Sequence, residues 1–155
     1  MEFTRNLMIE SVSRLQPTAA HIIGLRGSVA EGVEQLRRGR VGCLLVTEGR
    51  QLVGIFTERD LLKKILAPGL PLDTRISAVM TANPVSVNVM DSIRTAVERM
   101  QNGGYRHLPV VDEANHPVGV LSAKRIVQYL VEHFPSTVYN QPPDPNSIPD
   151  TAEGA

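Results

Sequence analysis

Apolar and polar positions along this chain follow one order of patterns, and that order occurs twice. In the first pass, Ala20-His21-Ile22-Ile23 reads as a short extended stretch. Val29, Val33 and Leu36 then fall on one face of a helix, opened by Ser28 as N-cap with Glu31 three residues on as a capping box. Two apolar runs, Cys43 to Thr47 and Gln51 to Phe56, flank the turn Glu48-Gly49-Arg50 and predict a hairpin. A second helix, Thr57 to Ala67, ends at Pro68-Gly69. The second pass repeats this with Pro84-Val85-Ser86-Val87 as the extended stretch. A helix carrying Ile93, Val97 and Met100 follows Ser92, and the strands are His107 to Val111 and Val118 to Leu121 around Asp112-Glu113-Ala114-Asn115. A closing helix runs from Ser122 to His133. Gly39 and Gly103 are the expected stops of the first helix in each pass.

The two passes can be laid over each other. Ser28 to Leu36 lies over Ser92 to Met100 at a spacing of 64. Leu44-Leu45-Val46-Thr47-Glu48 lies over Pro109-Val110-Val111-Asp112-Glu113 at 65, as does Leu52 to Thr57 over Pro117 to Ser122. A one-residue insertion near Gly103-Gly104 accounts for the change on this reading. Few positions are identical, but the apolar pattern and the punctuation agree, which marks an internal repeat. The implied layout is a leading helix within residues 1–14, a first repeat over 15–67, a linker over 68–78 and a second repeat over 79–134. The linker carries a short helical stretch around Ile76 to Met80. Five of the 11 prolines fall after Phe134, where apolar periodicity ends, so residues 135–155 read as a Pro-rich disordered tail.

Composition narrows the class of protein. Apolar residues make up 42% of the 155, enough for one shared core, and with aromatics at 4% that core must be aliphatic. Sixteen basic residues balance sixteen acidic ones, so no global field draws the protein to nucleic acid or an anionic membrane. No apolar run reaches the ~18 residues a membrane span needs, and the charged N-terminus does not read as a secretory signal. Cys43, the only cysteine, sits in an apolar run and reads as a small buried hydrophobe. A cytoplasmic protein is the expectation. His21, His107, His116 and His133 form no metal-ligand spacing, and no nucleophile elbow, P-loop or dinucleotide fingerprint is present. No catalytic residue and no metal site are therefore assigned.

Three segments carry a family resemblance: Gly54-Ile55-Phe56-Thr57-Glu58-Arg59-Asp60, Val79-Met80-Thr81-Ala82-Asn83-Pro84-Val85 and Tyr105-Arg106-His107-Leu108-Pro109-Val110-Val111-Asp112. With two β-α-β-β-α units of about 60 residues, the chain resembles a tandem CBS (cystathionine-β-synthase-type) domain pair, or Bateman module, from about residue 15 to 134. The first segment matches that family's Gly-apolar-x-Thr/Ser-x-x-Asp/Asn nucleotide motif in full. The resemblance implies an α+β fold whose two repeats pack through their sheets about a pseudo-twofold axis. It also implies two related clefts, and a disc-like homodimer. Many members bind AMP, ADP, ATP or another adenosyl compound in these clefts, S-adenosylmethionine and NADH included, and need no cofactor. Occupancy then alters a partner, which must here be a separate regulated protein.

Carried onto this sequence, the resemblance makes Asp60 the leading ligand residue. An ionised carboxylate can accept from both ribose hydroxyls at once. Thr57, one turn earlier, offers its hydroxyl and the free N–H groups of a helix start to ribose or phosphate. Ala20, His21 and Ile22 would supply backbone and apolar contacts for adenine. Arg106 and His107 would face phosphates, with Arg40 a weaker candidate. Thr57-x-x-Asp60 is equally the signature of a helix N-terminus, a capping hydroxyl with an acid in the first turn, and the two roles can coexist. The second repeat departs from the motif: Ser122 replaces Thr57 acceptably, but Arg125 stands where Asp60 does, and a guanidinium has no acceptor. One good site per chain is expected, the second cleft being empty, phosphate-binding through Arg125 and Lys124, or open to another ligand. The alternative function is a structural or dimerisation module whose clefts sense no nucleotide. A nucleic-acid binder is disfavoured by neutral charge and few aromatics.

Overall fold

The computed structural model describes residues 2–133; the Pro-rich segment 135–155 lies outside the described residues. The element order is α1 (Glu2–Met8), a 3-10 turn (Val12–Leu15), β1 (Ile22–Gly24), α2 (Val29–Gly39), β2 (Cys43–Glu48), β3 (Gln51–Thr57) and α3 (Glu58–Asp60), which continues as a π-helix over Leu61–Leu66. Then come α4 (Ile76–Val79), β4 (Thr81–Ala82), β5 (Val87–Asn88), α5 (Ile93–Gly103), β6 (His107–Val111), β7 (Pro117–Ser122) and α6 (Ala123–Glu132). The strands form two small sheets, ordered β1-β2-β3-β4 and β5-β6-β7. Within each, the first strand pairs parallel and the hairpin antiparallel. The fold is α+β, two repeats packed through their sheets about a pseudo-twofold axis.

Period-two alternation divides each hairpin between two cores. Leu44, Val46 and Phe56 point to their own helices, in a cluster with Val29, Leu36 and Ile65. Cys43, Leu45, Leu52 and Ile55 point the other way and meet Val111 and Val120 of the second sheet. Leu108, Val110 and Leu121 repeat the helix-facing pattern in the second half, with Ile93, Ala96 and Met100. Each fully buried Val, Leu, Ile, Phe or Met among these contributes about 1.5–3 kcal/mol.

Local signals set the helix ends. Ser28 and Ser92 accept from the backbone N–H of Glu31 and Thr95, both at 3.1 Å. Gly39 and Gly103 are the last residues of α2 and α5, and the left-handed caps follow them, at Arg40 (φ 51°) and Gly104 (φ 68°). Three expectations are corrected. The leading helix stops at Met8, because Ser11 bridges to Ser92 and Val12 N–H donates to the Asp91 carbonyl, which pulls the chain out of helical geometry. The closing helix of the first repeat widens to π geometry, with Ala67 N–H bonded to the Leu62 carbonyl five residues back.

The insertion also lies elsewhere. Cys43 pairs with Thr57 and His107 with Ser122, so β2 and β6 correspond at a spacing of 64 along their whole length. Both hairpins bulge at the same place, after Val46 and after Val110. The extra residue falls in the second hairpin turn, Asp112 to His116. There Asp112 Oδ1 accepts from the N–H groups of Ala114 and His116, both at 2.9 Å, and Asn115 is left-handed (φ 64°). That longer turn docks on the first hairpin: Asn115 Nδ2 donates to the Leu52 carbonyl at 3.1 Å and Gln51 Nε2 to the Ala114 carbonyl at 2.8 Å.

The segment leading into each repeat crosses to the other. Thr81 and Ala82 pair with Ile55 and Gly54, adding an edge strand to the first sheet. Thr18 bridges to Val120 of the second, with backbone bonds in both directions. The cores follow the crossing. Ile76 and Val79 complete the first-repeat core, while Leu7, Val12 and Leu15 complete the second. Gly54 and Gly119 make room for it. A Cβ at Gly54 would stand 2.3 Å from Met80 Sδ, and one at Gly119 would stand 2.9 Å from the Thr18 carbonyl oxygen.

Candidate ligand clefts

The crossing opens a cleft of about 770 Å³ between the end of β3 and the second repeat. Thr57, Glu58, Arg59 and Asp60 form one wall, Thr81 to Val85 another, and Gly103 to His107 with Pro109 the third. Asn83 turns the chain in the left-handed region (φ 49°), which asparagine tolerates, and its N–H is held by the Val53 carbonyl at the bulge. The Tyr105 ring packs against Gly103: a Cβ there would be 1.9 Å from the ring.

In the first of these walls the Thr57–Asp60 pair forms a complete capping box. Asp60 N–H donates to Thr57 Oγ1 at 3.1 Å, while Thr57 N–H and Oγ1 donate to Asp60 Oδ2 at 2.9 and 3.2 Å. Asp60 Oδ1 meets Lys64 Nζ at 3.1 Å, and the carboxylate side chain is 12% exposed. A carboxylate has about four acceptor directions, so capping and ligand contact are compatible here. Basic groups, Arg59 and Arg106, stand on two walls. Burial holds the His107 imidazole below its ordinary range, Arg106 adds to the effect, and Glu58 opposes it.

A second, smaller cleft of about 210 Å³ is lined by Thr18, Ala19, His21, Cys43, Val120 and Ser122 among others, with Gly42 and His107 shared between the two. Ser122 caps α6 by accepting from Arg125 N–H at 3.1 Å. Burial, with Glu58 nearby, pushes the Cys43 thiol up to about 11, so it is un-ionised at neutral pH.

The residues singled out from sequence are thus divided. Thr57, Asp60, Arg106 and His107 share the large cleft. The Ala20–His21–Ile22 stretch does not join them, which corrects the expectation that it would back the Asp60 site. His21 lines the small cleft, Ala20 packs into the sheet interface and Ile22 pairs with Leu45 in β1. The cause is the crossing, by which each leading segment serves the other repeat's motif. Arg125 lines neither cleft; its Nε donates to the Leu15 carbonyl at 2.7 Å. Thr81 to Val85 stands where Ala20–Ile22 is expected, and Glu58, Arg59 and Tyr105 line the cleft without having been assigned a ligand role from sequence. All of these lie in the segments that carry the family resemblance, and Pro84-Val85 also belongs to the repeat equivalent of the first extended stretch. Among the described residues, no group of three His, Cys, Asp or Glu is placed to hold a metal ion, and no helix is long and apolar enough to cross a membrane.

A tandem-repeat α+β module with a ligand-sized cleft at the junction of its repeats is the class these features define. The family profile of the CBS domain matches residues 22–67 and 76–132, and the chain belongs to that family. Among solved structures it is similar to a CBS domain protein of Pyrobaculum aerophilum complexed with AMP, with a TM-score of 0.71 and 26% identity over 79% of this chain and 98% of that one. A CBS-domain-containing protein of Agrobacterium tumefaciens matches with a TM-score of 0.68 and 29% identity, over 77% and 98%. In sequence, the chain is 32% identical over 133 residues to the meiotically up-regulated gene 70 protein of Schizosaccharomyces pombe, covering 85% of this chain but 17% of that protein.

Proposed function

We propose that this chain is a cytoplasmic, non-catalytic regulatory module that binds an adenine nucleotide in the Asp60 cleft and signals to a separate protein through the geometry of a homodimer. The carrying observation is that Thr57 and Asp60 line a cleft of about 770 Å³ together with Arg59 and Arg106. A carboxylate acceptor for ribose and cations for phosphate are the two halves of nucleotide recognition. The AMP held by the Pyrobaculum aerophilum relative supports the ligand class, and AMP, ADP and ATP come before S-adenosylmethionine or NADH. Apolar surface on both closing helices, Leu62 and Leu66 and then Val127 and Val131, each 54–59% exposed, supports pairing of two copies. A buried lone cysteine suits a reducing compartment. Binding in the smaller cleft is outside the proposal, since no carboxylate lines it and Arg125 is engaged elsewhere.

A second reading, a dimerisation module that senses no nucleotide, is favoured by the bonds Asp60 already makes to Thr57 and Lys64. Thermal unfolding with and without millimolar AMP, ADP, ATP, S-adenosylmethionine and NADH separates the two. A ligand that binds only the native state raises the transition temperature. A rise with an adenosyl ligand that Asp60→Ala abolishes is expected; no rise with any of the five leaves the dimerisation module.

A further inference from the structure

The carbonyls of Val79 and Leu15 occupy equivalent places 64 residues apart, each at the end of the short helical turn that precedes a crossing segment. Both accept from a cation. In the first half Lys64 Nζ donates to the Val79 carbonyl at 2.9 Å and meets Asp60 Oδ1 at 3.1 Å. In the second half the donor is Arg125 itself, Nε to the Leu15 carbonyl at 2.7 Å, with a further nitrogen 3.4 Å from Gln16 Oε1. The residue equivalent to Lys64 is Tyr129, whose hydroxyl turns away to Glu10 Oε2 at 2.7 Å. One tether thus exists in both halves, anchored on the same carbonyl but sent from different positions.

This difference has a consequence for the carboxylate. Thr57 holds Oδ2 through two bonds, from its N–H and its hydroxyl. Lys64 takes Oδ1, and because its ammonium is itself held on a main-chain carbonyl, the carboxylate gains a second anchor against rotation about Cβ–Cγ. The geometry points to Lys64 as a positioning residue of the Asp60 cleft: anchored on the Val79 carbonyl, it orients the carboxylate that reads the ribose hydroxyls. Arg125 makes the equivalent tether from the very position such a carboxylate would need, so the second half keeps the tether and gives up the reader. This role rests on the nucleotide reading of the cleft, and its test separates the two.

AMP and 2′,3′-dideoxyadenosine monophosphate, which lacks both ribose hydroxyls, are titrated into wild type, Lys64→Met and Lys64→Arg. Wild type is expected to prefer AMP. Lys64→Met is expected to lower that preference by about tenfold, the order of a hydrogen bond to a charged group, and Lys64→Arg to recover most of it. An unchanged preference in Lys64→Met, with both ligands weakened alike or not at all, overturns the assignment. So does a wild type that binds both ligands equally. If wild type binds neither, the nucleotide reading falls, and the tether is judged without ligand from the Asp60 side-chain rotamer by NMR. One rotamer in wild type and averaging in Lys64→Met supports the positioning role; one rotamer in both overturns it.

Discussion

Glu58–Leu66 and Ala123–Glu132 close the two repeats, and both begin at a capped hydroxyl at the end of a hairpin. Beyond the cap they diverge. The first helix carries a carboxylate one turn in and widens to π geometry, with Ile65 buried and Lys64 facing Asp60 and Val79. The second carries a guanidinium at the same place and stays a regular α-helix, its Tyr129 buried and bonded to Glu10. That bond holds the Glu10 carboxyl below its usual range. A large cleft lies at the first cap and a small one at the second. Two copies of one supersecondary unit can therefore keep a common scaffold of caps, hairpins and bulges while a few side chains leave a large cleft at one junction and fasten the chain at the other.

The sharpest way to test that common scaffold is to damage it at equivalent core positions. Phe56 and Leu121 are both fully buried, each facing the helices of its own half. Phe56→Ala is expected to cost about 3–5 kcal/mol and Leu121→Ala about 2–5 kcal/mol, read by urea unfolding with one shared transition. Two separate transitions would mean that the halves fold independently and that the crossing segments do not bind them together.

A smaller effect compares the two crossing sites. Gly119→Ala presses on the Thr18 main-chain oxygen at 2.9 Å, which cannot step aside alone, whereas Gly54→Ala meets the flexible end of Met80. We expect Gly119→Ala to lose about 1–3 kcal/mol and Gly54→Ala clearly less in the same unfolding measurement. The reverse order would show that the first crossing is the tighter one.

The smallest effect is electrostatic and belongs to the wall that the two clefts share. The folded protein depresses the His107 pKa through burial and Arg106. Its contribution to stability is therefore full above the ordinary value near 6.5. It is lost as pH falls through that value towards the lower folded one, because the unfolded chain takes up the proton first. His107→Gln should flatten stability against pH below about 6.5, as followed by thermal unfolding between pH 5 and 8. An unchanged pH profile would remove His107 as a titrating group of the wall.

Much of this architecture was legible along the chain. Ser28, Ser92, Thr57 and Ser122 announced their helices, since a cap needs only a partner three residues away. The alternation in Cys43–Thr47 and His107–Val111 marked strands and both of their faces. Thr57 and Asp60 were found for the same reason, being one local motif. The π-helix after Asp60 was not legible, because Leu61 to Leu66 contains no breaker and its geometry is decided by what Ile65 and Lys64 meet. The position of the inserted residue was misread, since apolar runs slide over one another by one place until pairing partners fix the register.

By itself, then, the sequence determined the repeat, the elements within it and the Thr57–Asp60 motif, all of which depend on neighbours within about one helical turn or one hairpin. Tertiary structure alone decided which leading segment faces that motif. Ala20–Ile23 and Pro84–Val87 are equivalent in pattern, and only the packing of Val12 and Leu15 into one core, and Ile76 and Val79 into the other, sends the chain just before each, at Thr18 and at Thr81–Ala82, to the opposite repeat. The same packing sets Arg125 Nε on the Leu15 carbonyl, while Asp60 lines the large cleft. The Arg125–Leu15 contact joins residues more than a hundred positions apart, and no local preference of either one records it.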